Sequence, residues 1–136
     1  MREILFRGKR KTNGKWIYGD YFRSKISNTE LGIRVIHSIT FFKNGEECSY
    51  TIDPDTLGQY TGMTDQNGKK MFENDIVLCT EPLGMGYREI RGKVAYKLTG
   101  FVVDCGKFNT TLSGGLTQSP YYVVGNIHDN PELLDA

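Results

Sequence analysis

Residues 59–79, QYTGMTDQNGKKMFENDIVLC, hold most of what the sequence reveals about its fold. Asn67 and Gly68 lie between two apolar-aromatic pieces, and both residues can adopt a positive φ, which favours a tight turn or hairpin. A second polar corner at residues 73–75 precedes the apolar residues 76–78, IVL, which predict a buried strand. The segment is informative about architecture and carries no recognisable chemistry.

The composition indicates a β-rich globular chain. Of the 136 residues, 38% are hydrophobic and 24% are charged, and sixteen glycines against four prolines favour turn-rich β structure. Aromatic residues make up 12% of the chain and suit half-buried pleated surfaces. A chain of this length can bury roughly two thirds of its unfolded surface, so it needs no disulfide or metal to fold.

These patterns predict a mostly β fold, with N-terminal β-hairpins plus a small SH3-like β-barrel and little helix. An acidic corner that leads into a short β-branched strand is typical of the first strands of such barrels. We expect a single domain over residues 1–136, with a hairpin region at approximately 1–58 and a barrel region at 59–136.

Eight or so short strands are predicted, separated by turn residues such as Asn44-Gly45. Residues 24–32 are polar and are expected to form a loop. Pro54 is expected to end a strand because proline lacks the N–H donor of the ladder. Pro131, with Asn130 before it, predicts the start of a short helix. The predicted strands lie near residues 4–6, 16–22, 34–42, 48–52, 76–80, 87–98, 101–103 and 121–127.

The net charge of +1 hides an asymmetry. Residues 1–25 carry eight basic and two acidic residues, whereas the remainder carries nine basic and fourteen acidic residues. Such a split is typical of a chain with an anionic partner at one end, or of two ends that attract each other within or between chains. The alternative is a solvated hairpin tip that binds nothing.

A basic segment near the N-terminus is the candidate contact surface for an anionic partner. Lysine and arginine neutralise phosphates, and aromatic rings such as those of Trp16 or Tyr18 can stack on unpaired bases. The nearly neutral overall charge weighs against nucleic acid as the anionic partner, because dedicated nucleic-acid binders are more basic. The candidate residues are Arg7, Lys9, Arg10, Lys11, Lys15 and Trp16.

The usual catalytic motifs are missing from the sequence, which has no GxSxG, HExxH or phosphate-binding loop. His128 beside Asp129 could act as a general base, but neighbouring strand residues point to opposite faces. His37, in RVIHSITFF, is interpreted as a strand residue with a backbone partner. We therefore predict no catalytic, cofactor-binding or metal-binding residue.

Four carboxylates flank the informative segment and could share an acid–base task or hold a metal. Turn chemistry is the preferred interpretation, because Asp side chains accept hydrogen bonds from nearby backbone donors. The loop at Asp65–Gly68 resembles a calcium loop only faintly. The four are Asp53, Asp55, Glu73 and Asp75.

The cysteines and the N-terminus predict a cytoplasmic protein. Cys48, Cys79 and Cys105 are widely spaced and lack metal-ligand spacing, so zinc is not expected. Cys79 and Cys105 follow apolar runs and are expected to be small core residues. The sequence shows no secretory signal and no run of transmembrane length, so no membrane association is expected.

Two long motifs resemble the signature of the YopX family of phage and prophage proteins. The first comprises residues 59–62, Asp65, residues 67–69 and residues 72–77; the second, VGNIHDNPELL, is at residues 124–134. The opening residues 4–8, ILFRG, are similar to the start of that family. Asn74 stands where the family usually has glycine, which suggests a positive φ, and His128 stands where it usually has tyrosine.

The resemblance implies a β-rich, phage- or prophage-encoded protein with an SH3-like barrel and no established activity. Our leading hypothesis is a non-enzymatic binding or self-assembling module in the cytoplasm of the bacterial host, forming a homo-oligomer or binding an unknown protein partner. A nucleic-acid-binding accessory protein and an enzyme without a recognisable motif are the alternatives. No cofactor is expected.

Overall fold

The computed structural model describes residues 4–28, 30, 32–97, 100–106, 109–111 and 120–134. The chain divides into two compact units, residues 1–59 (unit 1) and 60–136 (unit 2). Antiparallel strands dominate both units, and in the described part of the chain helix is limited to one 3₁₀ turn, Pro131–Leu134. The predicted fold class, mostly β with N-terminal hairpins and little helix, is confirmed. No helix of the described chain is long and apolar enough to cross a membrane.

Unit 1 is a closed ring of four antiparallel strands. Strand β1 pairs with both β2 and β4, while β3 pairs with both β2 and β4. Ile39 of β3 and Ile52 of β4 are completely buried. The strands are β1 (Phe6–Arg10), β2 (Trp16–Asn28), β3 (Gly32–Lys43) and β4 (Glu46–Thr64), of which the last continues into unit 2.

Closure of the ring requires strands to change partner along their length. In β2, Gly19 pairs with Phe6 of β1, whereas the next residue, Asp20, pairs with Thr40 of β3. A Cβ atom on Gly19 would lie 2.2 Å from the carbonyl oxygen of Thr40. Only glycine therefore permits this close approach of β2 and β3.

The turn between β3 and β4 agrees with its prediction. Asn44 and Gly45 have φ values of 54° and 79°, the left-handed conformation that a two-residue hairpin turn with both φ values positive requires. The expected loop at residues 24–32 is wrong, because β2 runs to Asn28 and β3 begins at Gly32. Pairing with a neighbouring strand overrides the polar character of this sequence.

The prediction that Pro54 ends a strand is also wrong, since β4 continues to Thr64. The register between β1 and β4 shifts here, so that residues 54–57 of β4 stand opposite Gly8 alone. The missing N–H of a proline costs no ladder bond at such an irregularity. The Thr56 hydroxyl ties this irregular stretch, here named the excursion of β4, to its surroundings. It accepts the Lys9 N–H at 2.8 Å and donates to the Asp53 carbonyl at 2.6 Å.

The described part of unit 2 contains the end of β4 and six further strands. The end of β4 pairs with β5, and the other five form a sheet in the order β10-β6-β7-β8-β9. Its apolar core consists of Met63, Met71, Val77, Val94, Phe101 and Val103. The strands are β5 (Lys70–Phe72), β6 (Asp75–Leu83), β7 (Gly86–Lys97), β8 (Gly100–Asp104), β9 (Asn109–Thr111) and β10 (Tyr122–Asn126).

The cysteine prediction is confirmed in part. Cys105 is half-buried and packs against the core of unit 2. The side chain of Cys79 lies outside the described residues. The short helix expected at Pro131 is present as the 3₁₀ turn, and the Arg91 guanidinium donates a hydrogen bond of 3.2 Å to its Leu133 carbonyl.

Asn74 occupies the positive-φ position that its departure from the family pattern suggested. Its φ is 72°, its N–H donates to the Val94 carbonyl at 2.8 Å, and its carbonyl accepts the Ile127 N–H at 3.0 Å. These two bonds fix the corner between β5 and β6 to the rest of unit 2. An asparagine can adopt this conformation at a modest cost that glycine avoids.

Candidate functional site

The structure divides the predicted basic surface into separate groups. Arg7 and Lys9 lie two residues apart on β1 and therefore on one face of the strand. The Arg7 guanidinium carbon lies 4.7 Å and the Lys9 ammonium 5.4 Å from the centroid of the Trp16 ring. Both cations engage the ring quadrupole. Trp16 is thus occupied by cations of its own chain, which leaves less ring surface for stacking on a base.

Arg10 projects from the opposite face of β1 and contacts a different ring. Its guanidinium carbon is 3.7 Å from the centroid of Tyr50. Its Nε is buried, and the described chain offers that atom no hydrogen-bond partner. The contact joins β1 to β4 across 40 residues of sequence, so Arg10 holds the ring together in addition to carrying charge.

Lys11 and Lys15 belong to the tip of the β1–β2 hairpin and are exposed. The Asn13 side chain accepts the Lys15 N–H at 3.0 Å, and Gly14 has a φ of 68°, as a tight turn at Asn13-Gly14 requires. The Lys11 N–H donates to the Thr51 carbonyl of β4 at 3.1 Å. Of the six predicted residues, these two lysines present their charge most openly to solvent.

A second surface in unit 1 is an extension of two strands beyond the ring, here named the arm. It comprises residues 23–28 of β2 and 32–37 of β3, which among the described strands pair only with each other. Phe22, at the base of the arm, and Ile26 face one side, and Ile33 and Val35 face the other, because their cross-strand partners alternate between faces. All four are exposed, at 44%, 48%, 71% and 43% respectively.

The arm was missed by sequence reasoning, which assigned residues 24–32 to a loop. The available signal was the alternation of apolar and polar residues at Ile33, Arg34 and Val35. That alternation predicts extended structure, and the exposure of its apolar positions points to an interaction surface.

The two histidines lie in different local environments. His37 Nδ1 lies 2.6 Å from the Tyr21 hydroxyl, and the two rings are nearly parallel. His128 lies in the turn after β10, where the Asn126 carboxamide oxygen accepts the backbone N–H groups of His128 and Asp129 at 3.0 and 2.9 Å. This capping by the Asn126 side chain gives a structural reason for the polar residues of the motif at residues 124–134.

Two of the four flanking carboxylates, Asp75 and Asp53, perform the predicted turn chemistry. Asp75 Oδ2 accepts the Phe72 N–H at 2.8 Å, and Asp53 Oδ1 accepts the Asp55 N–H at 3.1 Å. In the parts of the chain that the structure describes, no group of three or more histidine, cysteine or acidic side chains is arranged to hold a metal ion.

Asp65 accepts three backbone N–H groups, a role that sequence reasoning did not assign to it. Oδ1 accepts the N–H groups of Asn67 and Lys69, both at 2.9 Å, and Oδ2 accepts that of Val123 at 3.0 Å. Burial alone raises the pKa of Asp65. The three N–H donors, assisted by the Lys69 ammonium, outweigh burial and hold the pKa below its ordinary value of 3.8.

The turn that Asp65 organises differs in one respect from its prediction. Gly68 has a φ of 83°, whereas Asn67 is not among the described residues with a positive φ. The Gly68 N–H donates to the Asp65 carbonyl at 3.0 Å, and the Asp65 N–H donates to the Lys69 carbonyl at 2.8 Å. This pattern is the three-residue loop with a single left-handed residue, for which an Asp at the first position is favoured.

The family model described as "YopX protein" matches residues 5–135. The chain belongs to the YopX family. Two solved structures of similar fold extend over nearly the whole of this YopX-family chain. Protein EF1440 from Enterococcus faecalis is 22% identical, with a TM-score of 0.54, and the match covers 98% of this chain and 99% of that one.

The second solved structure is protein yopX from Bacillus subtilis. It is 19% identical, with a TM-score of 0.53, and the match covers 100% of this chain and 98% of that chain. At such identities the likeness shows the fold alone. No curated protein matches the sequence.

Proposed function

We propose that this YopX-family chain is a non-enzymatic module that binds further copies of itself. The observation that carries the proposal is the arm, a two-stranded ribbon with exposed apolar side chains on both faces. An isolated two-stranded ribbon is marginally stable in water, and exposed apolar patches are typical of interaction sites. The free edges of such a ribbon also invite pairing with another chain.

The charge distribution favours a second copy as the occupant. Unit 1 contains ten basic and seven acidic residues, whereas unit 2 contains seven basic and nine acidic residues. The arm carries Arg23, Lys25 and Arg34 and no acidic residue, and Glu30 lies in the turn that joins its two strands. A head-to-tail contact, with the basic arm of one copy against the acidic unit 2 of the next, places opposite charges together.

Sedimentation velocity over a range of protein concentrations, at low and at high salt, tests the proposal. We expect oligomers at low salt that dissociate as salt screens the charges. The double substitution Phe22→Ser and Ile26→Ser should shift the protein to monomer, because it removes the apolar side chains from one face of the arm. Phe42→Ser is the matched control, since Phe42 is 72% exposed on β3 but lies outside the arm.

A monomer at every concentration in low salt contradicts the proposal. An equal loss of association in the Phe42→Ser control contradicts the assignment to the arm. Circular dichroism of each variant separates a lost contact from a lost fold, because the β-rich spectrum must be retained in both.

Nucleic-acid binding is the second candidate, favoured by the exposed lysines at the hairpin tip. Fluorescence anisotropy with labelled single- and double-stranded DNA and RNA at low salt measures it directly. We expect any binding to weaken steeply with salt and to fall on Lys11→Ala and Lys15→Ala, since each lysine neutralises one phosphate. Binding that survives both substitutions rules out the tip as the contact.

The phage or prophage origin and the action in the host cytoplasm are further parts of the proposal, supported by the family to which the chain belongs. Sequencing of the DNA that flanks the gene tests the first, and flanking genes unrelated to phages would contradict it. Fractionation of the host cell tests the second, with the protein expected in the cytoplasmic fraction.

A further inference from the structure

We propose that a cavity in unit 1 binds a small organic phosphate monoester. The cavity is distinct in its chemistry from the apolar faces of the arm, and the inference goes beyond self-association. It has a volume of about 270 Å³ and is bounded by the turn after β1 and by segments of β3 and β4. The residues that line it are Lys11, Arg34, Val35, Ile36, His37, Thr51, Ile52 and Pro54.

The cavity exists because two paired strands part. Strands β3 and β4 are paired as far as Ser38 and Thr51, after which β4 pairs with β1, with Ile52 opposite Arg10. The segment of β3 before Ser38 then has no described partner on the β4 side. The Lys11 N–H bond to the Thr51 carbonyl, at 3.1 Å, keeps the hairpin tip at this point. The ring connectivity therefore builds the cavity.

The polar part of the wall favours an anion. Lys11, Arg34 and His37 come from two different elements, and no acidic residue belongs to the described wall. Asp53, the neighbour of Pro54 in sequence, uses a carboxylate oxygen to accept the Asp55 N–H at 3.1 Å. Arg34 and His37 lie on opposite faces of β3 and border the cavity from its two sides, and together with Lys11 they match the charge of a phosphate group, which is near −2 at neutral pH.

The histidine has only one ring nitrogen left for a ligand. Its Nδ1 is engaged by the Tyr21 hydroxyl at 2.6 Å, a contact that also fixes the orientation of the ring. When that hydroxyl donates to Nδ1, Nε2 carries the proton and can donate to a phosphate oxygen. Tyr21 is in this arrangement a positioning residue for His37.

The remaining wall is aliphatic, which points to an organic group next to the phosphate. Val35, Ile36, Ile52 and Pro54 supply this surface. A volume of about 270 Å³ lies just below the usual range of small-molecule sites, which begins near 300 Å³. The site thus suits a phosphate ester of a compact ring or chain better than either inorganic phosphate or a polymer.

Isothermal titration calorimetry with phenyl phosphate, inorganic phosphate and phenol tests the proposal near neutral pH. We expect phenyl phosphate to bind most tightly, inorganic phosphate more weakly and phenol not measurably. Equal affinity for phenyl phosphate and inorganic phosphate overturns the assignment of an organic group. Binding of phenol as tight as that of phenyl phosphate, or no binding of any probe at millimolar concentration, overturns the phosphate site.

Charge-matched variants locate the site. Lys11→Gln and Arg34→Gln should each weaken phenyl phosphate binding about tenfold, the effect of one charge-assisted hydrogen bond. Lys15→Gln and Lys25→Gln remove the same charge from the hairpin tip and from the arm, outside the wall, and should change affinity by less than about twofold. Equal weakening in all four variants contradicts binding in this cavity.

The cavity and the arm share Arg34, Val35, Ile36 and His37, so the two proposals need separate readouts. Phenyl phosphate titrated into the Phe22→Ser and Ile26→Ser double variant measures the cavity in a chain whose arm has lost apolar side chains. Retained affinity in that variant shows that the cavity acts without self-association. Affinity that disappears together with the oligomer overturns a site contained in one copy.

Discussion

The two units of the chain use their polar side chains in different ways. In unit 2, Asp65, Asp75 and Asn126 accept backbone N–H groups and define turns around an apolar core. In unit 1, the cations of Arg7 and Arg10 lie over aromatic rings, and basic residues line a cavity. Polar groups bound to their own backbone stabilise a fold, whereas exposed cations such as those of Lys11 and Arg34 can also serve a ligand. This difference supports the proposal that the binding surfaces lie in unit 1, whereas the polar side chains named in unit 2 maintain its fold.

Removal of the Asp65 carboxylate gives the largest expected effect. Asp65→Ala leaves three part-buried N–H groups without their acceptor, which should lower the free energy of unfolding by about 3 kcal/mol. Urea denaturation followed by circular dichroism measures the change. Asp104→Ala is the control in the same unit, because it removes one exposed bond to the Gly106 N–H and a 3.8 Å pair with Lys97 and should cost less than about 1 kcal/mol. Equal costs would contradict the special role of Asp65.

Gly19→Ala tests the ring of unit 1. Its Cβ would meet the Thr40 carbonyl oxygen at 2.2 Å, so the strands must move apart at a cost of about 2–3 kcal/mol. Trp16 is the single tryptophan and lies in unit 1, so its fluorescence during urea denaturation reports on the ring. Gly86→Ala, where the added Cβ meets nothing within 4 Å, should change stability by less than about 0.5 kcal/mol. A Gly19→Ala protein as stable as this control would contradict the claim that only glycine permits the close approach of β2 and β3.

Acid should act on unit 2 through Asp65. Because the pKa of Asp65 is lowered in the folded state, the ionised carboxylate contributes stability at pH values above its ordinary pKa of 3.8. That contribution is lost as the pH falls from 3.8 through the lower folded-state value. Denaturation by urea at several pH values between neutrality and acid should show a steeper loss in the wild type than in Asp65→Asn. Parallel curves for the two proteins would exclude Asp65 as the source.

The smallest expected effect concerns the two asparagines with positive φ. Asn74→Gly in unit 2 removes the strain of a left-handed side chain and should raise the free energy of unfolding by about 0.5 kcal/mol. Asn44→Gly in the β3–β4 turn of unit 1 is the parallel substitution, with a similar expected gain. Loss of stability in Asn74→Gly alone would indicate that its side chain makes a contact that the Asn44 side chain lacks.

Local patterns made much of the fold predictable. Asn44-Gly45 specified a turn, Pro131 marked the start of the 3₁₀ turn, and the apolar run at residues 76–78 specified a buried strand. Each of these depends on residues within a few positions of one another, where backbone sterics dominate. The resemblance to the family then extended the prediction of a β-rich fold to the whole chain.

The remainder depends on contacts between distant residues. The residues near Pro54 do not predict that β4 stops pairing with β3 and begins pairing with β1. That change of partner depends on the register of β1 and β3. Ring closure brings Arg10 into contact with Tyr50. It also places Lys11 and Arg34 in the wall of one cavity. Of the two cations that line the cavity, sequence reasoning named Lys11 and missed Arg34.

The excursion of β4 opposite Gly8 has an evolutionary consequence. Elsewhere in the ring, insertion of one residue would turn every following side chain to the other face of its strand. Residues 54–57 already depart from the one-to-one pairing, so a gain or loss of length there leaves the flanking registers intact, provided that Thr56 keeps its two bonds. Length variation among relatives should therefore accumulate at this point of β4, while the other paired segments stay constant in length.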